Sequence, residues 1–282
     1  MDIAQNTHSE QAMLWNGLAG RAWVEAQAVL DRMFQPFEDL LVDAVRAASA
    51  GRVLDVGCGT GSTTLAVARL PSTQRGTGID ISEPMLAAAR SRAEREGTPA
   101  RFLCADAQLQ AFEPAGFDMI ISRFGVMFFD DSVQAFANLR RAARDGASLR
   151  FVAWRSAAEN PFMTTAERAA APLLPGLPAR LPDTPGQFAF ADASRVRRIL
   201  QDSGWADIEI RPIELRCTLA EQDLVLYLSR LGPLGRVLTE IDELARRRVI
   251  ETVRAAFEPY VCGAEVRFEA ACWMVSARAA AP

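Results

Sequence analysis

The stretch Val53-Leu54-Asp55-Val56-Gly57-Cys58-Gly59-Thr60-Gly61 decides the reading of this chain. Val53 to Val56 is a short apolar run with an acid near its carboxyl end, the pattern of a buried parallel strand. Glycines at 57, 59 and 61 then force a tight turn and remove every Cβ that would block a ligand. From Thr60 to Leu70 the apolar residues Leu65, Val67, Ala68 and Leu70 fall on one helical side. A strand, a glycine turn and the amino end of a helix predict a nucleotide-type crevice.

The spacing separates two kinds of crevice. A dinucleotide site needs G-x-G-x-x-G, because the pyrophosphate sits on the amino end of the helix. Here the glycines alternate and Asp55 precedes them. A carboxylate there repels a phosphate but suits a cation such as an amino-acid ammonium group. The stretch D-V-G-C-G-T-G resembles motif I of the class I S-adenosylmethionine-dependent methyltransferases of small molecules. The resemblance implies an α/β fold: a seven-stranded, mostly parallel Rossmann-like sheet with helices on both faces, an N-terminal helical cap and helical lid insertions. It also implies S-adenosyl-L-methionine as cofactor, with Asp55, Gly57, Cys58 and Gly59 at its site.

Three further segments extend the resemblance. Gly76-Thr77-Gly78-Ile79-Asp80-Ile81-Ser82 reads as a second strand ending in an acid, with Ser82 as N-cap before Glu83 and Pro84. Asp80 stands where a ribose-binding carboxylate is expected, and Ile81 and Met85 are placed to flank an adenine; a second helix cap is the plainer reading of Asp80. Arg101 to Ala107 reads as a third strand, and in the family an acid like Asp106 accepts the adenine amino group while the backbone N–H of the next residue, Ala107, reaches a ring nitrogen. Phe117 to Phe124 resembles motif IV, a buried strand from which Ser122 and Arg123 emerge at the carboxyl end. Arg123 is a candidate partner for an acidic substrate, or simply a solvated charge. Together these motifs cover about residues 52–130. Ahead of them, Trp15-Asn16-Gly17-Leu18-Ala19 and Trp23 resemble a family segment whose aromatic rings cover the methionine end of the cofactor. A sulfonium against an aromatic face is physically sensible, although an ordinary amphipathic packing helix fits the same pattern.

Composition excludes several classes. Half the residues are apolar, so the chain is globular. A net charge of −4 argues against a nucleic-acid footprint. All 31 Lys+Arg residues are arginine, which removes a Walker lysine and pyridoxal-phosphate Schiff-base chemistry. One histidine and cysteines at 58, 104, 217, 262 and 272 give no zinc spacing, so no metal is expected. Dispersed cysteines, no signal peptide and no apolar run of spanning length predict a cytoplasmic protein with no membrane and no nucleic-acid partner, monomeric or homodimeric.

The expected organisation is a helical cap over 1–48 in two helical stretches and a cofactor-binding core over 49–155. A proline-rich lid excursion follows over 156–191, then a core helix and sixth strand over 192–218. A helical lid insertion over 219–262 and a last strand with its tail over 263–282 complete the chain; within the insertion Glu221 to Pro259 reads as helix, with Leu224, Leu228, Leu231, Val237, Ile241, Leu244 and Ile250 as its apolar stripe. Lid residues Phe162 and Tyr227 are candidate substrate contacts, as are Phe188 and Phe190. For chemistry, His8 is the one imidazole and the candidate catalytic base for a high-pKa oxygen acceptor. The reading is methyl transfer to a small-molecule oxygen or nitrogen. Its alternatives are a non-methylating use of the same ligand and an NAD(P)-dependent oxidoreductase, which Asp55 and the glycine spacing disfavour.

Overall fold

The computed structural model describes residues 10–178, 180 and 184–280. Its centre is a sheet in which β1 (Arg52–Val56), β2 (Arg75–Asp80), β3 (Ala100–Cys104), β4 (Phe117–Arg123) and β5 (Ala143–Trp154) run parallel in the order β3-β2-β1-β4-β5. Two long strands, β6 (Trp205–Ala220) and β8 (Glu265–Ala279), complete the seven-strand path; β8 lies antiparallel between β5 and β6. A two-residue strand, β7 (Val261–Cys262), pairs with β8, so the sheet has eight strands rather than the seven expected. The extra strand is only the hairpin return into β8.

Helices cover both faces. Phe151 and Trp154 are three residues apart on β5 and therefore face opposite ways. Phe151 meets Phe136 of α7 (Ser132–Ala142) at 5.5 Å between ring centroids. Trp154 meets Phe37 of α4 (Gln35–Ala48) at 6.2 Å. On the second face α4 packs against α5 (Ser62–Ala68), and on the first α7 packs against α9 (Ala193–Asp202). Phe37, Phe136 and Phe151 are 0% exposed, and each such ring contributes roughly 1.5–3 kcal/mol by leaving water. The strand order reverses between β1 and β4, which opens a crevice at the carboxyl ends of those strands.

The segment before β1 is more broken than expected. Instead of two helical stretches its described residues form four: α1 (residues 10–16), α2 (Leu18–Glu25), α3 (Gln27–Met33) and α4. Breaks at Gly17, Ala26 and Phe34 fold it back over the crevice. The expected helix from Glu221 to Pro259 is likewise divided into α10 (Leu224–Arg230), α11 (Gly232–Val237) and α12 (Glu243–Ala256). Asp242 N-caps α12 by accepting from the Ala245 N–H at 2.9 Å. The new start resets the helical phase, so Leu244, expected on the apolar stripe, is 81% exposed. Gly232, at φ +69°, supplies the break between α10 and α11. With α6 (Glu83–Glu96) behind β2 and β3 and α8 (Pro161–Ala170) after β5, the helical set is complete for the described residues. None of these helices is long and apolar enough to cross a membrane.

Candidate active site

At the end of β1 the chain cannot continue as an ordinary strand. Gly57, Gly59 and Gly61 have φ of +67°, +54° and +83°, the left-handed region that only glycine enters without cost. A Cβ on Gly57 would lie 2.6 Å from the Cα of Gly125, which follows β4. The two loops at the topological switch point therefore touch backbone to backbone. The cradle is held from β2: Asp80 Oδ2 accepts from the Gly59 N–H at 2.8 Å, and Oδ1 from the Ser82 N–H at 2.9 Å. Burial raises the Asp80 pKa, and the backbone donors at Ser82 and Gly59 pull against that rise. Ser82 in turn caps α6, as expected, by accepting from the Met85 N–H.

Above the cradle lies one cavity of about 990 Å³. Its walls bring together most of the residues singled out from the sequence: Trp15, Trp23, Gly57, Gly59, Asp80, Ile81, Met85, Asp106 and Ala107, with Arg123, Phe162 and Tyr227. Asp106 lies two residues beyond the end of β3, and its carboxylate accepts from the N–H of Gln108 at 2.7 Å. Three expected residues do not reach the wall. Asp55 is buried under the turn, where Oδ2 accepts the Thr64 hydroxyl at 2.6 Å, and desolvation raises its pKa to about 7. Cys58 is buried behind β2, where a Cβ on Gly78 would meet its sulfur at 2.7 Å. Ser122 spends its hydroxyl on the scaffold: it donates to Val56 O at 2.7 Å and accepts from the N–H groups of Gly125 and Val126. Of the lid phenylalanines, Phe190 is core, packed against Phe136 and Phe151, while Phe188 joins the wall. His8 lies outside the described residues. Among the described residues no group of acids, cysteines or histidines could hold a metal ion.

The cap is tied to this edge of the crevice by contacts that the sequence did not indicate. Asn16 donates from Nδ2 to Ile81 O at 2.9 Å, and its Oδ1 accepts from the Glu83 N–H at 2.9 Å. Ser82 Oγ donates to Trp15 O at 2.6 Å. These three bonds clasp the end of α1 to the turn that follows Asp80. Gly20 permits the approach, since a Cβ there would meet Trp15 O at 1.9 Å and Ser82 Oγ at 2.8 Å. Trp15 then stands edge-on to Trp23 at 5.9 Å and to Phe128 at 5.1 Å, which closes that wall with aromatic rings. Asn16 sits beside Trp15 in the very segment already noted, so its polar side chain next to an aromatic cover was the available signal.

The far half of the cavity is made by the lid. Phe162 stacks on Phe268 at 3.7 Å, and the Tyr227 hydroxyl lies 3.5 Å from the Met163 sulfur. Burial pushes the Tyr227 hydroxyl well above its ordinary pKa, which keeps it protonated near neutral pH. Glu167 and Arg180 form a two-point ion pair, at 2.6 and 2.8 Å, and Arg180 lies 4.9 Å over the Phe188 ring. Between cap and lid run two further ion pairs, Arg32–Asp223 at 2.8 Å and Arg230–Glu25 at 3.5 Å.

Residues 53–146 match the family described as Methyltransferase domain. Over these residues the chain resembles a class I, Rossmann-like methyltransferase domain. A demethylmenaquinone methyltransferase of Thermus thermophilus is 35% identical over 108 residues, which is 38% of this chain and 49% of that enzyme. An aklanonic acid methyltransferase of Streptomyces is 29% identical over 137 residues, 46% of this chain and 62% of that enzyme. The chain thus spans about half the length of the curated relatives it matches. The fold extends further than the sequence likeness. The structure of a magnesium protoporphyrin IX methyltransferase of Synechocystis, with bound S-adenosylhomocysteine, superposes with a TM-score of 0.58 at 16% identity, covering 96% of this chain and 99% of that one.

Proposed function

We propose that this chain binds S-adenosyl-L-methionine and transfers its methyl group to a small, largely apolar acceptor. The observation that carries the reading is one cavity running from Asp80 and Asp106 at the sheet edge, over the Gly57–Gly59 cradle, into a chamber walled by lid residues. The residues present fit this cofactor. The cradle has no Cβ to obstruct a ligand, and Asp80 keeps lone pairs free beside the crevice for ribose hydroxyls. Asp106 and the Ala107 N–H suit the adenine edge, between Ile81 and Met85. Trp15 and Trp23 offer ring faces and edges to the sulfonium side.

When bound, this cofactor supplies an electrophilic methyl group on a good leaving group. The protein's part is therefore to align the acceptor and exclude water, a contribution worth roughly 7–11 kcal/mol when geometry is well set. Cap and lid do this by covering the sheet edge from both sides. The apolar walls at Phe162, Met163, Phe188 and Tyr227 favour an acceptor with an extended apolar body. The relatives named for demethylmenaquinone and aklanonic acid support the same reading. At the acceptor end Glu167 is held by Arg180 and Tyr227 stays protonated, so neither serves readily as a base. His8 remains the proposed base for an oxygen acceptor of high pKa, on its chemistry alone. The domain boundaries given above, with cap and lid as separate covers, belong to the same proposal, as does a soluble chain acting as monomer or homodimer.

The test is calorimetric titration with S-adenosylhomocysteine against NAD and NADP, followed by a metabolite screen with labelled methyl donor. Binding of S-adenosylhomocysteine alone is the expected result. Binding of a dinucleotide instead would sink the assignment.

A further inference from the structure

Arg123 ends β4 and lines the cavity together with Gly57, Phe34 and Gly125. Its side chain is 13% exposed, yet its guanidinium donates no hydrogen bond to any described residue. Nη1 is wholly buried and unpartnered, with Glu38 Oε2 standing 3.9 Å away. That distance gives Coulombic attraction but not a hydrogen bond. Glu38 is already engaged elsewhere: it accepts the Ser62 hydroxyl at the start of α5 and the Gln35 amide at 3.1 Å. An arginine fork carries five N–H donors, and burying them unmatched is costly. The exposed part of the side chain lines the cavity, so a further acceptor for the fork enters from there, and a planar carboxylate matches the fork best.

The surroundings decide whose carboxylate it is. Through Glu38 and Ser62 the fork is tied to the foot of the Gly57–Gly61 turn, not to the lid. Asp55 and Asp80 lie in the same buried neighbourhood, so the fork sits among three acids. A simple anionic acceptor would face net repulsion there. An amino-acid zwitterion would not: its cationic groups answer the acids and its carboxylate answers the arginine.

We propose that Arg123 receives the carboxylate at the amino-acid end of the cofactor, rather than an acidic acceptor. The inference rests on the cofactor reading above, and the experiment separates the two. Wild-type protein and Arg123→Gln are titrated calorimetrically with S-adenosylhomocysteine and with its decarboxylated analogue, which keeps the adenosine, the sulfur and the amine. Wild type should prefer the carboxylate form by roughly ten- to a hundredfold, the range of charge-assisted hydrogen bonds. Arg123→Gln should lose nearly all of that preference while still binding the analogue. Because the readout is a ratio within one protein, a general loss of affinity cancels. Glu38→Gln disturbs the same cluster without removing the fork, and it should keep the preference. A wild-type preference retained in Arg123→Gln would overturn the proposal, and a raised KM for the acceptor alone would reassign Arg123 to the acceptor. Failure of wild type to bind either ligand would instead overturn the cofactor reading.

Discussion

Asp80 and Asp55 are both buried acids at the ends of neighbouring strands, yet their surroundings set them different tasks. Asp80 faces the cavity with two backbone donors behind it, so an added ligand finds a carboxylate already fixed in direction. Asp80→Ala should weaken S-adenosylhomocysteine binding by the loss of two hydrogen bonds to a charged acceptor, each worth roughly 1.5–3 kcal/mol. An unchanged dissociation constant in a folded variant would remove Asp80 from the site. Asp55 faces inward, with Thr64 as its hydrogen-bond partner and with Arg123, Glu38 and Asp80 as its charged neighbours. Its folded pKa of about 7 lies above the ordinary 3.8, so the folded chain holds the proton more tightly. The stability this brings is complete below the unfolded value and is lost as pH rises through about 7. Asp55→Asn keeps an acceptor for Thr64 and cannot ionise. Its stability relative to wild type should therefore climb between pH 4 and pH 8, by an amount on the order of 4 kcal/mol. A flat difference in denaturant midpoints across that range would show that Asp55 is not raised. The sequence could point to both acids, but only burial distinguishes the one that meets a ligand from the one that does not.

At the scale of elements, the strands, the glycine turn and the helix that follows were legible because local chemistry dictates them. Apolar runs of strand length, glycines that must take positive φ and the Ser82 cap each carry their own signal. The clasp between α1 and the turn after Asp80 carries no local signal of its partners, since it joins Asn16 to backbone atoms more than sixty positions away. It is nonetheless the contact that sets the cap over the cofactor edge. Asn16→Ala removes the two hydrogen bonds of the clasp, each worth about 1 kcal/mol net. The cap should open more often, and S-adenosylhomocysteine should bind several-fold more weakly, chiefly through faster dissociation, while thermal stability of the sheet changes little. Hydrogen exchange over residues 10–25 should rise in parallel. Equal dissociation rates for Asn16→Ala and wild type would show that the clasp does not govern the cap.

For the molecule as a whole, the two covers meet above the carboxyl edge of the sheet. The lid was least legible in the sequence because its helices are short and reset in phase at Gly232 and Asp242, so one long periodic pattern wrongly turned Leu244 inward. What joins the covers is also invisible to local pattern: Arg32–Asp223 and Arg230–Glu25 link residues about two hundred positions apart. Three of these four side chains are at least two-fifths exposed, so each pair contributes little, roughly 0.2–1 kcal/mol. Small terms suit a closure that must reopen at every turnover. The paired change Glu25→Gln with Asp223→Asn should leave the fold intact and speed release of S-adenosylhomocysteine by about two- to tenfold, the factor those small energies allow. Raising ionic strength should speed release from wild type in the same direction, because exposed charges are screened over about 10 Å at 0.1 M salt. The doubly neutralised variant should respond much less. Stopped-flow displacement at several salt concentrations reads both effects together. If wild type and variant show the same rate and the same salt slope, these bridges are surface ornament and closure is held by the aromatic wall and the clasp at Asn16.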